Sequence, residues 1–143
     1  MTVYAVIDTN VIVSSLLTSD PKSPTIFIIE SIRKGDIIPI FSDYLLTEYK
    51  EVLGRGKFSL PESIREGVLS LFLQSGKRFE PTCEDAKLPD TDDIPIFLIS
   101  METRDLESYL VTGNIKHYPA MDHIVTPKRM MEIIQSSHDE RIT

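Results

Sequence analysis

Residues 3–10 read VYAVIDTN: five apolar residues, Val3–Ile7, break directly into Asp8, Thr9 and Asn10. A short, β-branched apolar run of this kind predicts a strand buried on both faces, the pattern of a parallel sheet. Thr9 and Asn10 then read as turn or cap residues. Similar runs recur at Ile37–Phe41, Tyr109–Thr112 and Ile124–Val125, with a further short strand expected over Arg78–Thr82. Helical patterns lie between them. Thr25–Lys34 carries Ile26, Ile29 and Ile32 at helical spacing and stops at Gly35. Ser42 caps a helix to Leu53, and Pro61 opens another that ends at Gly76. A helix follows Asp90–Asp93 to Glu102, and Thr126-Pro127 opens a last one to Gln135. Thr18–Pro24 reads as a loop. Strands alternating with helices predict a three-layer α/β/α sandwich with a mostly parallel central sheet. In such sheets ligands bind at the carboxyl ends of the strands.

The chain has 143 residues, with 15 Lys+Arg against 22 Asp+Glu and a net charge of −7. That length predicts one domain, taken as residues 1–135, followed by a polar, frayed tail at 136–143. The acidic balance argues against a protein that coats nucleic acid through a broad basic surface. Cys83, the single cysteine, excludes an internal disulfide. His117, His123 and His138 lack the i, i+4 spacing of a helical metal site. Neither a signal peptide nor a membrane span is expected, so a cytoplasmic setting follows.

Some of the surplus carboxylates do not fit a solvated surface. Asp8 follows the first strand, where it serves either as a helix N-cap or as a site residue. Glu48 falls on the stripe of Leu45, Tyr49, Val52 and Leu53, where a carboxylate is costly without a cation or donors. Its neighbours Lys50 and Glu51 face elsewhere. Asp90, Asp92 and Asp93 crowd the start of an apolar helix, although one cap would suffice. Thr112-Gly113-Asn114 follows a second strand end. A parallel sheet brings these points to one edge. Carboxylates with only oxygen-bearing company suit Mg²⁺ or Mn²⁺ and metal-assisted phosphoryl transfer.

Four stretches, VIDTNVIVS at 6–14, SDYLLTEYKEVL at 42–53, DTDD at 90–93 and LVTGNIKHYP at 110–119, carry a resemblance. In content, order and separation they resemble the PIN-domain family of metal-dependent ribonucleases. More narrowly, they are similar to small bacterial and archaeal PIN proteins classed as toxins of toxin–antitoxin pairs. The resemblance implies an endoribonuclease in which Asp8, Glu48 and Asp93 hold one or two Mg²⁺ or Mn²⁺ ions. It assigns supporting roles to Asn10, Asp90 and Thr112. Asn114 stands where many members carry a fourth acid, which removes one negative charge from the metal set. A water activated by the metal attacks the RNA phosphate in line, without a histidine base. His117 reads as a loop histidine bonded to backbone, and His123 and His138 as structural residues. Arg55, Lys57 and Lys116 are the cationic candidates for the RNA substrate. Homodimerisation and an antitoxin protein partner are implied by the resemblance alone.

Three other readings compete. A phosphoaspartate-forming phosphatase of the haloacid dehalogenase type requires a second aspartate two residues after the first, and that position is Asn10. A catalytically attenuated PIN module that binds RNA or protein is motivated by Asn114. An α/β protein without a site predicts that Glu48→Leu stabilises the fold by completing the apolar stripe.

Overall fold

The computed structural model describes residues 2–83 and 86–142, with only the helical backbone described over 138–142. The elements run in the order β1 (Val3–Ile7), α1 (Thr9–Leu17), α2 (Pro24–Lys34), β2 (Ile37–Phe41), α3 (Asp43–Leu53), α4 (Glu62–Ser75), β3 (Lys77–Arg78), α5 (Ile94–Glu102), β4 (Tyr109–Val111), β5 (Ile124–Val125) and α6 (Pro127–Ile142). Four single-turn 3₁₀ segments punctuate them, among them Thr91–Asp93 before α5 and Ile115–His117 after β4.

All five strands are parallel, in the order β3-β2-β1-β4-β5. The strands are short and apolar on both sides because helices cover both faces. α2 packs on β2 and touches α1, α4 and α6, while α5 packs on β1 and β4 and touches α3. Ala5, Val6, Ile7, Ile37, Ile40, Leu110 and Val111 are fully enclosed between these layers. The expected three-layer α/β/α sandwich is therefore present. β1 is central, and the winding reverses between β1 and β4. That reversal opens a crevice at their carboxyl ends, next to Ile7 and Val111, which are register partners.

Local chemistry sets the element ends. Ser42 caps α3 by accepting from the Leu45 amide at 3.1 Å, and Ser23 caps α2 by accepting from Thr25 at 3.3 Å. Gly35 ends α2 in the left-handed region at φ 87°, where its N–H donates to Ile32 and the next amide, of Asp36, reaches back to Ser31.

Several boundaries differ from expectation. α1 begins at Thr9, so Thr9 and Asn10 are helical rather than a turn. The strand expected at Arg78–Thr82 is the two-residue β3, which starts one residue earlier, at Lys77, because the α4 turn delivers the chain directly to the β2 edge. α6 continues through residues 136–142, past the expected stop at Gln135.

Gly76 links α4 to β3 at a point of close approach. A Cβ there would lie 2.5 Å from the Pro39 carbonyl oxygen and 2.6 Å from that of Phe72. Both are backbone atoms of packed elements and have little room to move. Gly76→Ala is expected to destabilise the fold by about 1–3 kcal/mol, read as a lower midpoint in urea denaturation at unchanged slope.

Candidate metal centre

Asp8 is the first residue past β1, and its amide extends the sheet by donating to the Val111 carbonyl at 2.9 Å. It occupies the N-cap position of α1, yet its side chain makes no capping hydrogen bond. Instead Asp8 Oδ2 accepts from the Thr112 hydroxyl at 2.7 Å. Thr112 is fully buried just past β4, and its Oγ1 also accepts from the Asn114 amide at 3.0 Å. The two strand ends that flank the winding reversal are thus joined by side chains.

Glu48 arrives on α3. Its Oε2 accepts from the Thr9 hydroxyl at 2.6 Å, which joins the first turn of α1 to α3. The next residue, Tyr49, is fully buried, packs edge-on to Phe72 with ring centroids 5.3 Å apart, and donates its hydroxyl to the Ile7 carbonyl. That bond ties α3 to the end of β1 and sets the height at which Glu48 stands. Glu48 is half-buried, at the edge of the apolar stripe rather than inside it.

Asp93 ends the 3₁₀ turn before α5. The capping role at this helix start belongs to Asp90, whose Oδ1 accepts from the Asp92 amide at 2.9 Å; Asp93 makes no cap bond. The Asp93 side chain is 16% exposed and pairs through Oδ2 with His117 Nδ1 at 3.2 Å. The expectation of a backbone-bonded His117 ring is corrected here. The 3₁₀ turn Ile115–His117 aims the imidazole at the α5 start, and only the His117 backbone amide bonds backbone, at Asn114.

Asp8, Glu48, Asp92 and Asp93 line one cleft of about 380 Å³, with Asn10 beside them and Val13, Val52, Phe58 and Ile96 forming an apolar wall. The carboxylates perturb one another. Burial raises the Asp8 pKa first, the Thr112 hydroxyl opposes this, and Asp93 raises it further. Burial likewise raises Glu48, the Thr9 hydroxyl opposes it, and Asp8, Asp92 and Asp93 add to the rise. Asp93 is raised by burial and then by Asp90, against the opposing pull of His117 and of the Tyr118 hydroxyl. Among the described residues, one group of three brings potential ligand atoms within 4.8 Å of one another: Asp90, Asp93 and His117. Asp8 and Glu48 stand outside that group and share the cleft with Asp93. A set of half-buried oxygen ligands carrying excess negative charge fits a hard divalent cation.

The remaining expected residues divide. Arg55 lines the cleft but is engaged by Glu51, with Nη2 to Oε2 at 3.0 Å. Lys57 lies over the Phe58 ring at 5.1 Å from its centroid. Lys116 and Asn114 are exposed and not among the residues lining the cleft. His123 is buried, with Nε2 3.4 Å from Ser100 Oγ and far along the chain from the carboxylates, while the side chain of His138 lies outside the described residues. Sequence reasoning missed Thr9, Tyr49 and Tyr118 as parts of the site. The adjacency of Thr9 to Asp8 was a usable signal once α1 is recognised; Tyr118 carried none.

A sequence model of the PIN domain matches residues 4–116. That span contains Asp8, Glu48, Asp90, Asp93, Thr112 and Asn114. Comparison with curated proteins gave no match, and comparison with solved structures gave none.

The raised carboxylates have a measurable consequence. Because folding raises these pKa values, the folded metal-free chain binds protons more tightly than the unfolded chain. The contribution of these three groups to stability is therefore fully present below the ordinary carboxylate range and is lost as pH rises through the elevated pKa values. In EDTA, Asp8→Asn is expected to melt above wild type at neutral pH, with the gap closing as pH drops from the elevated pKa of Asp8 toward the ordinary carboxylate range. A pH series of thermal midpoints checks this, and a gap that widens on acidification contradicts it.

Proposed function

The chain belongs to the PIN-domain family, whose members are in general nucleases, and from that premise we propose that it is a metal-dependent endoribonuclease. The observation that carries the reading is the convergence of Asp8, Glu48 and Asp93 on one cleft at the winding reversal, each with a raised pKa. Carboxylates raised first by burial and then by acidic neighbours are stabilised in their charged form by a cation, and oxygen-only ligands favour Mg²⁺ or Mn²⁺. Asp8, Glu48 and Asp93 form the proposed metal set. The Asp90–Asp93–His117 group offers Asp93 as the residue common to a second position.

When bound, the divalent ion supplies charge neutralisation at the scissile phosphate and a lowered pKa for an attacking water. The chain's own residues do the rest. Thr112 and Thr9 donate to Asp8 and Glu48, which fixes one oxygen of each carboxylate and leaves the others for the ion. Tyr49 holds the α3 register, so Glu48 stays opposite Asp8. The apolar wall of Val13, Val52, Phe58 and Ile96 excludes water from one side of the cleft. Arg55, once released from Glu51, is the cation placed to meet the RNA backbone. Asn114 contributes no charge, which favours one strongly held ion over two.

The role of toxin in a toxin–antitoxin pair, with an antitoxin protein partner and a homodimer forming the RNA groove, is the narrower form of this proposal. Among the described residues no helix is long and apolar enough to cross a membrane.

The test is cleavage of a labelled single-stranded RNA with Mn²⁺ or Mg²⁺. Wild type is expected to cleave and to stop in EDTA. Asp8→Asn, Glu48→Gln and Asp93→Asn should each lose roughly two orders of magnitude in rate, the effect of about 3 kcal/mol of lost charge stabilisation. Cleavage that survives both aspartate substitutions rules out the carboxylate centre. A folded wild type that binds Mn²⁺ and RNA without cleaving supports the attenuated module instead.

A further inference from the structure

Tyr118 follows the turn that carries His117 and is only 6% exposed. Its ring stacks on Phe97 of α5, with centroids 6.2 Å apart and planes at 28°. Ring packing accounts for the ring but not for the hydroxyl. Among the described residues, the Tyr118 hydroxyl is the buried side-chain polar atom without a hydrogen-bond partner. Asp93 lies close enough for the two groups to shift one another's pKa as hydrogen-bond partners, yet no bond between them meets full donor–acceptor geometry. Asp8, Asp93 and Glu48 all act on it through space, and with burial they push its pKa far above the tyrosine range. The group is therefore held as an O–H donor, within electrostatic reach of the three carboxylates.

A buried donor left unpaired is destabilising, and phenylalanine would give the same stacking without that cost. A tyrosine here makes sense if the hydroxyl has a partner in another state of the site. Residues that ligate a cation commonly have their remaining lone pairs oriented by an outer donor. Asp93 already receives His117 on Oδ2. We propose that Tyr118 is a positioning residue of the metal centre, its hydroxyl being the donor that Asp93 takes up when a divalent cation fills the cleft. This rests on the metal-centre reading above and adds to it a group outside the acidic residues. The turn after β4 then grips Asp93 with two consecutive side chains, His117 and Tyr118.

The test is Tyr118→Phe in the full chain, with the thermal midpoint measured in EDTA and the Mn²⁺ affinity measured by calorimetry. The midpoint in EDTA is expected to equal or exceed that of wild type, because an unpaired buried hydroxyl is removed. The Mn²⁺ affinity is expected to fall about tenfold. Unchanged Mn²⁺ affinity overturns the proposal and leaves Tyr118 as a core aromatic. A midpoint clearly below wild type in EDTA also overturns it, since the hydroxyl would then be paired in the empty protein. Asp8→Asn separates the two levels: a wild type that binds no Mn²⁺, or binds it no better than Asp8→Asn does, removes the metal centre itself. Loss in Asp8→Asn with retention in Tyr118→Phe removes only the role of Tyr118.

Discussion

The hydrogen bond from Thr112 to Asp8 joins residues 104 positions apart and marks the constraint on which the site depends. Two parallel strands end side by side where the sheet changes its winding direction, and each end exposes polar groups to the same crevice. Asp8 cannot leave that crevice, because its own amide is still part of the sheet ladder. Every other acid of the cleft is brought to Asp8, on α3 or on the turn before α5. The apolar core fixes where the carboxylates stand; burial is the larger electrostatic cost of standing there, and repulsion from neighbouring acids adds to it.

That cost explains why the surroundings of the carboxylates are rich in hydroxyl donors. Thr9, Tyr49 and Thr112 are buried, and each donates to an acceptor at the β1 end or to a carboxylate beside it. A hydroxyl stabilises a carboxylate without adding charge, so it does not compete with a cation for the role of neutralising the cleft. The overall charge of −7 takes on a different meaning in this light. Part of the excess is gathered in the cleft, where a bound cation would reverse its local sign.

The strands were legible because runs such as VYAVI and IIPIF have the length and branching of fully enclosed strands. Ser42, Gly35 and Pro61 marked helix ends through cap chemistry that acts locally. Asp8, Glu48 and Asp93 stood out because each breaks a local expectation for a carboxylate. A cap at Asp8 was among the readings, but the body of α1 was not legible as a helix: VIVSSLL at 11–17 carries β-branched residues, and tertiary packing against α2 and α3 overrides that preference. The ring of His117 and the hydroxyl of Tyr118 were not legible either. They sit on an irregular turn whose path depends on Phe97 and the start of α5, and no periodicity encodes such a path.

The distribution of the cleft along the chain has a consequence for its synthesis. The side chains that build it are spread from Asp8 to Tyr118, on elements that meet only through long-range pairing. Closing such contacts is slow compared with forming local helices. A nascent chain that has emerged only as far as α4 has its first two acids but neither the third nor the strand that fixes the first. The cleft is therefore complete only once β4 and the turn after it have joined the sheet beside β1.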